Sequence, residues 1–321
     1  MRHKRGLVIG GGSAGSRHAE VLRTLIPSAD HIHVSSRDFE SWWQIFGAES
    51  EEESVRIDFA IIASPAPMHL SQATALANAS IPMLIEKPVT ATLEEARLLE
   101  GHLSKLSVAA QVGYVLRYTP GFRFFRETLE RLGTETVERV SVTSHSFLPH
   151  WRKDSHYKDS VSANSELGGG VLLELSHELD YVTALFGFMK VISAKVSQSP
   201  ELEIAVESGA VIEGELINGS PVFISLDMGN RFPERFCEVE WKGGTKVLWN
   251  VVEGTVTQTG AESRISRTES SPSDRDDWYR TQLEYFLGVV DNIHQPVPSV
   301  KDAVRTMELI NNVWTHAGGK Q

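Results

Sequence analysis

A glycine-rich turn near the start of the chain constrains its fold more than any other feature. Gly10-Gly11-Gly12-Ser13-Ala14-Gly15 follows a short apolar strand, Leu7-Val8-Ile9, and opens a segment with apolar residues at helical spacing up to Pro27. In the pattern Gly-x-Gly-x-x-Gly, the first glycine permits a tight turn, the second lets a pyrophosphate approach the backbone, and the third lets helix and strand pack closely. Free amides and the helix dipole then favour an anion. The turn predicts a dinucleotide-binding β-α-β unit; the alternative is a glycine turn with no ligand.

Strand and helix signals alternate over the first part of the chain. Strands are predicted at 7–9, 31–36, 59–63, 81–85 and 108–114, and helices at 14–26, 68–79 and 93–106. Such alternation builds a parallel, doubly wound sheet with helices on both faces. We expect residues 1–119 to form an α/β Rossmann domain that binds NAD(P).

The pattern changes after residue 120. A helix at 121–132, a strand at 137–147 and a helix at 171–186 are followed by β-type segments at 190–198, 203–217, 221–229, 235–241 and 245–258. The stretch 262–277 is predicted to be an exposed loop, and helices at 276–292 and 301–317 follow. We expect residues 120–321 to form an α+β domain for substrate binding and oligomerisation, with a large, mostly antiparallel open sheet.

Composition argues against several classes of function. A net charge of −11 disfavours nucleic acid or an anionic membrane surface as partner, because both require a basic face. With one cysteine, Cys237, a single chain has no disulfide framework and no thiolate metal cluster, and no metal is expected. The chain shows neither a signal peptide nor an apolar run long enough to span a membrane, so we expect a cytoplasmic protein.

The second strand bears on the choice of cofactor. NAD-binding units carry Asp or Glu about 20 residues after the glycines, bonded to the ribose 2′-hydroxyl. Here the strand ends in Val34-Ser35-Ser36-Arg37, with no acid at its tip. Two hydroxyls and a guanidinium suit a 2′-phosphate, so NADP is expected in preference to NAD. In the alternative, Arg37 stacks on adenine or is solvated, and Asp38 binds the ribose.

Two short segments mark the ends of the next strands. Ala63-Ser64-Pro65 is expected to pass under the nicotinamide half of the cofactor, and an apolar run leads into Glu86-Lys87-Pro88. In an open α/β sheet, such carboxyl ends are where ligands bind. The proline fixes its own φ and ends the strand, which constrains how Lys87 leaves it. His69 either faces the same cleft or is a surface or capping residue.

With these motifs the chain resembles the Gfo/Idh/MocA oxidoreductases, nearly from end to end. The residues that carry the resemblance are Ala63-Ser64-Pro65 with His69, Glu86-Lys87-Pro88, Val112-Gly113-Tyr114, Arg117-Tyr118-Thr119-Pro120, Gly168-Gly169-Gly170-Val171, Ser176-His177-Glu178-Leu179-Asp180, and the closing segments 279–286 and 302–310. It implies NAD(P)-dependent oxidation or reduction at a sugar or polyol carbon. A lysine at the place of Lys87 then lies between nicotinamide and substrate, and a histidine at the place of His177 handles the hydroxyl proton. That division is consistent with the chemistry, because the reaction needs a base for the proton and a cation for the developing alkoxide.

The histidine is predicted to lie on a helix with one polar side. At about 100° per residue, one face of the helix carries the polar side chains Glu174, His177, Glu178 and Tyr181. We interpret this face as catalytic; the alternative is a solvated face on an amphipathic helix. Related dehydrogenases usually carry Asp four residues before the histidine, where this chain has Leu173. Glu174 and Asp180, each three residues from His177, are both open as its partner.

The long segment 147–164 is expected to serve the substrate, because loops of this length with their own aromatic residues usually have a function. Trp151 offers a flat face for a sugar ring, and Arg152 can bind a carboxylate or phosphate. An acidic or nucleotide-linked sugar fits this loop better than a neutral polyol. The alternative is a packed surface loop with exposed charges.

Three sets of site residues follow from the motifs and the resemblance. The catalytic residues are expected to be Lys87, His177 and Glu174. The cofactor contacts are expected to be Gly10, Gly12, Ser13, Ala14, Gly15, Ser36, Arg37, Ala63, Ser64, Pro65, His69, Glu86, Lys87 and Arg117. The substrate contacts are expected to be Lys87, Tyr114, Trp151, Arg152, Tyr157 and His177.

The favoured function is an NADP-preferring sugar dehydrogenase or reductase that works as a dimer or tetramer. The presence of both Lys87 and His177 favours an enzyme. Two other functions are open: a non-catalytic NADP-binding sensor, which Leu173 favours, and a reductase that acts on a non-sugar carbonyl.

Overall fold

The computed structural model describes residues 4–47, 56–151, 156–260, 264–268 and 275–319. In chain order its elements are β1 (Arg5–Ile9), α1 (Ser13–Leu25), β2 (Asp30–Val34), α2 (Phe39–Phe46), β3 (Phe59–Ile62), α3 (His69–Asn78), β4 (Met83–Ile85), α4 (Leu93–Leu106), β5 (Ala110–Val112), α5 (Pro120–Leu132), β6 (Val137–Phe147), α6 (Val171–Glu174), α7 (Ser176–Phe186), β7 (Met189–Ser197), β8 (Gly209–Leu216), β9 (Pro221–Asp227), β10 (Gly229–Trp241), β11 (Lys246–Asn250), β12 (Thr255–Thr259), β13 (Arg264–Thr268), α8 (Arg275–Val290) and α9 (Val300–His316). The chain divides into two compact units, Met1–Val115 with Asp274–Met307 and Leu116–Ser273 with Glu308–Gln321. The domain boundary between residues 119 and 120 stays a prediction.

The first unit contains a five-stranded parallel sheet in the order β2-β1-β3-β4-β5. Leu7 to Ile9 in β1 and all of Phe59–Ile62 in β3 are buried, as parallel strands covered by helices on both faces should be. The predicted α/β Rossmann fold is confirmed. The strand order reverses between β1 and β3, which is where such sheets bind ligands.

The residues that follow β1, β3 and β4 stand in a row at one edge of this sheet. The last residues of these strands are paired with one another, so Gly10, Ala63 and Glu86 come next to each other across the sheet. The Ala63 N–H donates to the Ile9 carbonyl oxygen, and the Glu86 N–H donates to the Ile62 carbonyl oxygen, both at 2.8 Å. Three motifs predicted for the first unit thus share the ligand-binding edge.

Helix α8 belongs to the core of the first unit, although it follows the second unit's sheet in sequence. Leu22 of α1 and Phe286 of α8 are completely buried in one cluster with Val8 and Ile61. The Phe286 ring lies edge-on to Phe59 with centroids 6.0 Å apart. Each fully buried side chain of this kind contributes about 1.5–3 kcal/mol to stability.

Local signals predict some of these elements well and others poorly. The Thr92 hydroxyl accepts the Glu95 N–H, and the Glu95 carboxylate accepts the Thr92 N–H, both at 3.2 Å, so α4 begins with the predicted capping box. The sequence does not predict α2, because eight residues with four aromatic side chains are too short to show a clear period. Strand β5 is confined to Ala110–Val112 and is shorter than the predicted 108–114.

The second unit contains an eight-stranded sheet in the order β13-β12-β11-β10-β6-β9-β8-β7. Only β6 and β9 pair in parallel, so the predicted mostly antiparallel sheet is confirmed for the described residues. Two predictions are wrong here. The segment 245–258 forms two strands around a turn, and β13 with the start of α8 occupies part of the predicted loop 262–277. Short polar strands at a sheet edge show little apolar alternation, so their sequence resembles that of a loop.

Trp249 on β11 lies at the centre of the second unit's core. Its ring packs against those of Phe122, Phe125 and Tyr181, with centroids 5.6, 5.7 and 5.4 Å away. Gly121 permits this packing, because a Cβ there would lie 2.7 Å from the indole nitrogen. These contacts hold α5 and α7 against the sheet.

Candidate active site

The turn after β1 contains two kinds of glycine. Gly10 has a φ of +113°, and a Cβ there would lie 2.4 Å from the Ala63 carbonyl oxygen. A Cβ at Gly15 would lie 2.0 Å from the Gly10 carbonyl oxygen. Beyond the adjacent chain, no described atom lies within 4 Å of a Cβ built at Gly11 or Gly12. Gly10 and Gly15 therefore serve the turn itself, and the space in front of Gly11 and Gly12 is open to a ligand.

Helix α1 begins beside this open space. Gly12 is its N-cap, and in the described part of the chain no side chain caps the helix and no acid lies in its first turn. The N–H groups at Ser13 and Ala14 thus belong to the donors that have no partner within the helix. Such an N-terminus binds phosphate through its N–H groups and its dipole. Turn and helix together fit the pyrophosphate of a dinucleotide.

The tip of β2 leaves Arg37 exposed. The Ser35 hydroxyl donates to the Asp38 carboxylate at 2.6 Å, and the Asp38 N–H donates to the Ser35 carbonyl oxygen at 3.2 Å. This turn engages Asp38 just before α2. A residue that the sequence does not single out, His33, has its Nε2 atom 2.7 Å from the Gly10 carbonyl oxygen and links β2 to the glycine turn. No motif marks His33, because the sequence around a single polar residue in a strand does not predict which group it will contact.

The segment after β3 is held by side chains of the first unit. The Ser64 hydroxyl donates to Gln72 Oε1 at 2.6 Å, and His69 Nε2 lies 2.8 Å from the Ser64 carbonyl oxygen. Ala63-Ser64-Pro65 is therefore fixed beside the glycine turn. Its contact with the nicotinamide stays a prediction.

His69 also holds the segment after β4. Its Nδ1 atom lies 3.1 Å from the Pro88 carbonyl oxygen and 3.2 Å from that of Val89, and the side chain is 1% exposed. His69 is thus not a surface residue. Burial lowers the pKa of His69 below its ordinary value, although the carbonyl oxygens of Ser64, Val89 and Pro88 favour the protonated ring. Its predicted contact with the cofactor remains untested.

Glu86 is a buried carboxylate that joins three parts of the first unit. Its Oε1 atom lies 2.7 Å from His18 Nε2, and its Oε2 atom accepts the Lys87 N–H at 3.1 Å. A Cβ at Gly113 would lie 3.0 Å from the carboxylate carbon, so glycine leaves room for it. Burial opposes ionisation, but the interaction with His18 and the charge of Lys87 outweigh it and lower the pKa of Glu86. The sequence does not single out His18, whose place on the buried side of α1 suits any packed residue.

Lys87 is the one residue of this corner whose side chain is not buried. Met83 to Glu86 and Pro88 to Thr90 are buried, whereas Lys87 is half-buried, and its peptide bond to Pro88 is cis. The residues on its two sides are held by His18 and His69. The corner therefore presents one amine from a well-supported backbone at the ligand-binding edge.

The helix that carries His177 is interrupted at Leu175, where ψ is +29°. The prediction of a single helix is wrong here, because α6 ends at Glu174 and α7 begins at Ser176. The spacing of apolar residues does not reveal this break, because the Leu175 side chain stays buried although its backbone dihedrals are not helical. Glu174 and His177 thus lie on different helices, and their spacing in sequence does not set their separation.

Two of the four side chains of the polar face predicted for this helix, Glu178 and Tyr181, are buried. Glu178, which is 0% exposed, accepts hydrogen bonds from Arg235 Nε at 2.7 Å and Nη2 at 3.1 Å. Asp180, which is 1% exposed, accepts them from Arg117 Nε at 2.7 Å and Nη2 at 2.6 Å. Tyr181 is buried against Trp249. For Glu178 and Tyr181 the alternative of a solvated face is wrong.

On α6 and on α7 up to Asp180, only Glu174 and His177 are partly exposed. Arg117, predicted to contact the cofactor, donates both bonds to Asp180. Tyr114, predicted to contact the substrate, is fully buried. The roles of Arg117 and Tyr114 stay predictions.

The glycines before α6 serve close packing. A Cβ at Gly169 would lie 2.3 Å from the Val161 carbonyl oxygen, and one at Gly170, where φ is +110°, would lie 2.5 Å from Glu207 Oε1. The Val171 N–H donates to the Glu207 carbonyl oxygen at 2.9 Å. Glu207 therefore supports the start of α6, a role that no motif in the sequence indicates.

The predicted substrate loop is partly tied down within the second unit. Trp151 Nε1 donates to Ser146 Oγ at 3.1 Å, and the Tyr157 hydroxyl donates to the Leu202 carbonyl oxygen at 2.9 Å. These bonds agree with the packed-loop alternative. They involve the indole N–H of Trp151 and the hydroxyl of Tyr157, and neither involves the face of a ring. Arg152 lies outside the described residues. Substrate contact by Trp151, Arg152 and Tyr157 stays a prediction.

Within the residues that the structure describes, no group of three or more His, Cys, Asp or Glu side chains is arranged to hold a metal ion. None of the helices among them combines the length and the apolar character needed to cross a bilayer. Burial, together with the charge of Glu178, raises the pKa of the Cys237 thiol and keeps it unreactive.

Comparison with known proteins agrees with this arrangement. The family model described as "Oxidoreductase family, NAD-binding Rossmann fold" matches residues 4–114. Glucose-6-phosphate 3-dehydrogenase of Bacillus subtilis (strain 168) is 23% identical over 94% of this chain and 93% of its own.

Two solved structures share the fold over both units. UDP-N-acetylglucosamine 3-dehydrogenase from Acidithiobacillus ferrooxidans has a TM-score of 0.76 at 18% identity and covers 98% of each chain. Levoglucosan dehydrogenase, solved in complex with NADH and levoglucosan, has a TM-score of 0.81 at 16% identity and covers 98% of this chain and 97% of its own. The matching family model, the full-length relative and the dinucleotide turn together support a Gfo/Idh/MocA oxidoreductase that binds NAD(P).

Proposed function

We propose that the chain moves a hydride between NADP and a carbinol or carbonyl carbon of a sugar, polyol or nucleotide-linked sugar. The observation that carries the proposal is Lys87, the accessible side chain of a corner held from both sides at the ligand-binding edge. The match to the oxidoreductase family model supports the redox chemistry. The preference for NADP, the substrate class and the residue roles are the proposal.

The cofactor contacts follow from the glycine turn and the tip of β2. The N–H groups at the start of α1 bind the pyrophosphate, where the space is open. Ser36 and Arg37 bind the 2′-phosphate of NADP, because a hydroxyl and a guanidinium are donors that suit a phosphate. The bound nicotinamide supplies the hydride acceptor or donor.

Lys87 and His177 divide the chemistry at the substrate oxygen. The Lys87 ammonium donates a hydrogen bond to that oxygen and stabilises the alkoxide charge that develops during oxidation. His177 takes the hydroxyl proton, and Glu174 supports the imidazole. Partial exposure of Glu174 supports this choice, since Asp180 is engaged by Arg117 through both oxygens.

A sugar is the substrate class that the relatives favour. Their names give glucose 6-phosphate, UDP-N-acetylglucosamine and levoglucosan, two of which carry phosphate. In this proposal Trp151 stacks on the sugar ring, Arg152 binds an acidic or phosphorylated part, and Tyr157 and Tyr114 complete the contacts.

A second candidate function is a sensor that binds NADP without turnover. Leu173 favours it, because it is fully buried at the position where related dehydrogenases carry an acid. Lys87 and His177 favour the enzyme, since a sensor needs neither. A sensor would bind NADP and a sugar and show no change in the absorbance of reduced cofactor with any sugar offered.

We also propose that the chain works in the cytoplasm as a homodimer or homotetramer. The exposed face of β7, β8 and β9 carries Ile192, 49% exposed, and Val211 and Phe223, each 41% exposed, and a second copy would cover these apolar side chains. Phe223→Asp is expected to convert the oligomer to a monomer in gel filtration. A wild-type chain that elutes as a monomer contradicts the proposal.

Isothermal titration and a sugar panel test the function. The wild type is expected to bind NADP about tenfold more tightly than NAD, and Arg37→Asp to remove that preference. Asp38→Asn is the matched control and leaves the preference in place. Tighter binding of NAD by the wild type would show the cofactor choice to be wrong. The panel contains glucose 6-phosphate, levoglucosan and UDP-N-acetylglucosamine, and at least one sugar is expected to reduce NADP.

A further inference from the structure

We propose that His18 is a positioning residue that acts on Lys87 through the carboxylate of Glu86; this inference rests on the proposed role of Lys87. His18 lies on α1, the helix that opens at the glycine turn, 68 positions before Glu86. One carboxylate oxygen of Glu86 faces His18 Nε2, and the other accepts the backbone N–H of Lys87. A single side chain thus links the cofactor-binding helix to the backbone of the reactive lysine.

Glu86 is the hydrogen-bond partner of the His18 ring. The ring is completely buried, and its Nδ1 atom has no hydrogen-bond partner in the described part of the chain. Because the atom that faces Nε2 is a carboxylate oxygen, Nε2 carries a proton in either charge state of the ring. The Tyr279 ring lies edge-on to His18, with centroids 5.0 Å apart, and fixes the orientation of the imidazole.

The carboxylate has little freedom of its own. It is buried, and a Cβ at Gly113 would lie only 3.0 Å from the carboxylate carbon. The interaction with His18 favours the charged form of Glu86. If His18 loses its donor, a buried carboxylate is left with an unmet oxygen. Glu86 then takes up a proton or turns toward water, and either change weakens its hold on the Lys87 N–H.

The expected result is a loss of rate with little loss of cofactor binding. A displacement of about 1 Å at a reacting group can cost about 100-fold in rate. The open face of the glycine turn is formed by Gly11 and Gly12 and does not involve the His18 ring. A residue that only stabilised the fold would instead change the unfolding transition and the binding of NADP together.

Four variants test the link: His18→Leu, His18→Gln, Glu86→Gln and the double variant His18→Leu/Glu86→Gln. His18→Leu is expected to lower kcat about 10- to 100-fold on the sugar that the wild type turns over fastest, with the NADP Kd within about threefold. The Gln side chain at position 18 can still donate to the carboxylate and is expected to restore most of that rate. The double variant is expected to be no slower than the slower single variant, because both changes break one connection.

Three results would overturn the inference. The first is an unchanged kcat in His18→Leu. The second is a fold-loss of kcat in the double variant that equals the product of the fold-losses in the two single variants. The third is a His18→Leu variant whose only defect is weaker NADP binding. Lys87→Met, assayed in parallel, distinguishes a failure of this inference from a failure of the proposed function of Lys87. If Lys87→Met loses turnover while the His18 variants keep it, only this inference fails. If Lys87→Met keeps turnover, the proposed function of Lys87 fails and this inference with it.

A second readout needs no substrate. Pyridoxal phosphate with borohydride labels accessible lysines, and peptide mass spectrometry reports the rate at Lys87 against that at exposed Lys105 on α4. The ratio is expected to change about threefold or more in His18→Leu and to stay near the wild-type value in His18→Gln. An unchanged ratio in a folded His18→Leu variant contradicts the link. Should His18→Leu fail to fold, His18→Asn takes its place, because its shorter amide does not reach the carboxylate.

Discussion

Arg117 and Asp180 lie 63 positions apart and are joined by two hydrogen bonds, Nε to Oδ2 at 2.7 Å and Nη2 to Oδ1 at 2.6 Å. The Arg117 side chain is 12% exposed and that of Asp180 is 1% exposed, so the pair is largely withdrawn from water. It ties α7, the helix that carries His177, to the chain just before α5. The pair therefore helps to set the position of the histidine within the second unit.

Breaking this pair is expected to be costly. Asp180→Asn should lower the free energy of unfolding by about 3–5 kcal/mol, because it leaves a largely buried guanidinium without its counter-charge. Urea denaturation measures the change. The exposed pair of Arg126 and Glu130 provides the control, since Glu130→Gln is expected to cost less than about 1 kcal/mol. An equal loss in the free energy of unfolding for both variants would show that the pair of Arg117 and Asp180 does not stabilise the second unit.

Adding one methyl group at the glycine turn should separate binding from folding. A Cβ at Gly12 meets no described atom within 4 Å, so Gly12→Ala is expected to fold with wild-type stability. The methyl group would occupy the space proposed for the pyrophosphate, and the NADP Kd should rise about tenfold or more. Isothermal titration measures it.

The matched control for this variant is Gly101→Ala on α4, where a Cβ also meets nothing within 4 Å. It is expected to leave NADP binding unchanged and to stabilise the helix by about 0.5–1 kcal/mol. If Gly12→Ala binds NADP as tightly as Gly101→Ala does, the pyrophosphate does not lie at this turn.

His69 should make stability depend on pH below neutrality. Burial holds its pKa below the ordinary value of 6.5, so between the two values the unfolded chain binds a proton that the folded chain does not. The free energy of unfolding therefore falls as the pH drops below about 6.5, with a slope from this group of at most about 1.4 kcal/mol per pH unit. Its contribution is fully present above that pH.

His69→Gln is expected to remove this part of the slope. Urea denaturation at several pH values between about 5 and 7.5 measures it. His316→Gln, at an exposed position on α9, is expected to keep the wild-type slope. A slope in His69→Gln that matches the wild type would mean that His69 is not held neutral by the fold.

Glu174 is expected to act with His177 in proton transfer. Glu174→Gln should lower kcat about tenfold or more and leave the NADP Kd unchanged, because the carboxylate supports the imidazole and not the cofactor. Steady-state kinetics on the best sugar of the panel measure both constants. Glu166→Gln, an exposed carboxylate in the loop before α6, serves as the control. A wild-type kcat in Glu174→Gln would leave Asp180 as the candidate partner of His177.

Sequence predicts the elements of this fold where the signal is local and repeated. The glycine turn, the buried strand Phe59–Ile62 and the capping box of α4 each rest on neighbouring residues, and each is present in the structure. The break at Leu175 and the polar strand β13 are not predicted, because neither changes the apolar pattern of its segment.

The site is predictable only in part for a different reason. Motifs single out Lys87 and His177 by type and context. The partners that hold Glu86, Glu178 and Asp180 come from other elements: His18 from α1, Arg235 from β10 and Arg117 from the chain before α5. Long-range pairing of charges leaves no period in one sequence, so these residues appear only when the fold brings them together.

Hydride transfer by Lys87→Met is the most direct test of the proposed chemistry. Methionine keeps an unbranched side chain of similar length and removes the ammonium, while Lys105→Met does the same at an exposed site on α4. With NADP and the best sugar of the panel, we predict that kcat falls about 1,000-fold in Lys87→Met, that its NADP Kd stays within about threefold of the wild type, and that Lys105→Met is unchanged. A Lys87→Met protein that turns the sugar over within about tenfold of the wild type would contradict the account.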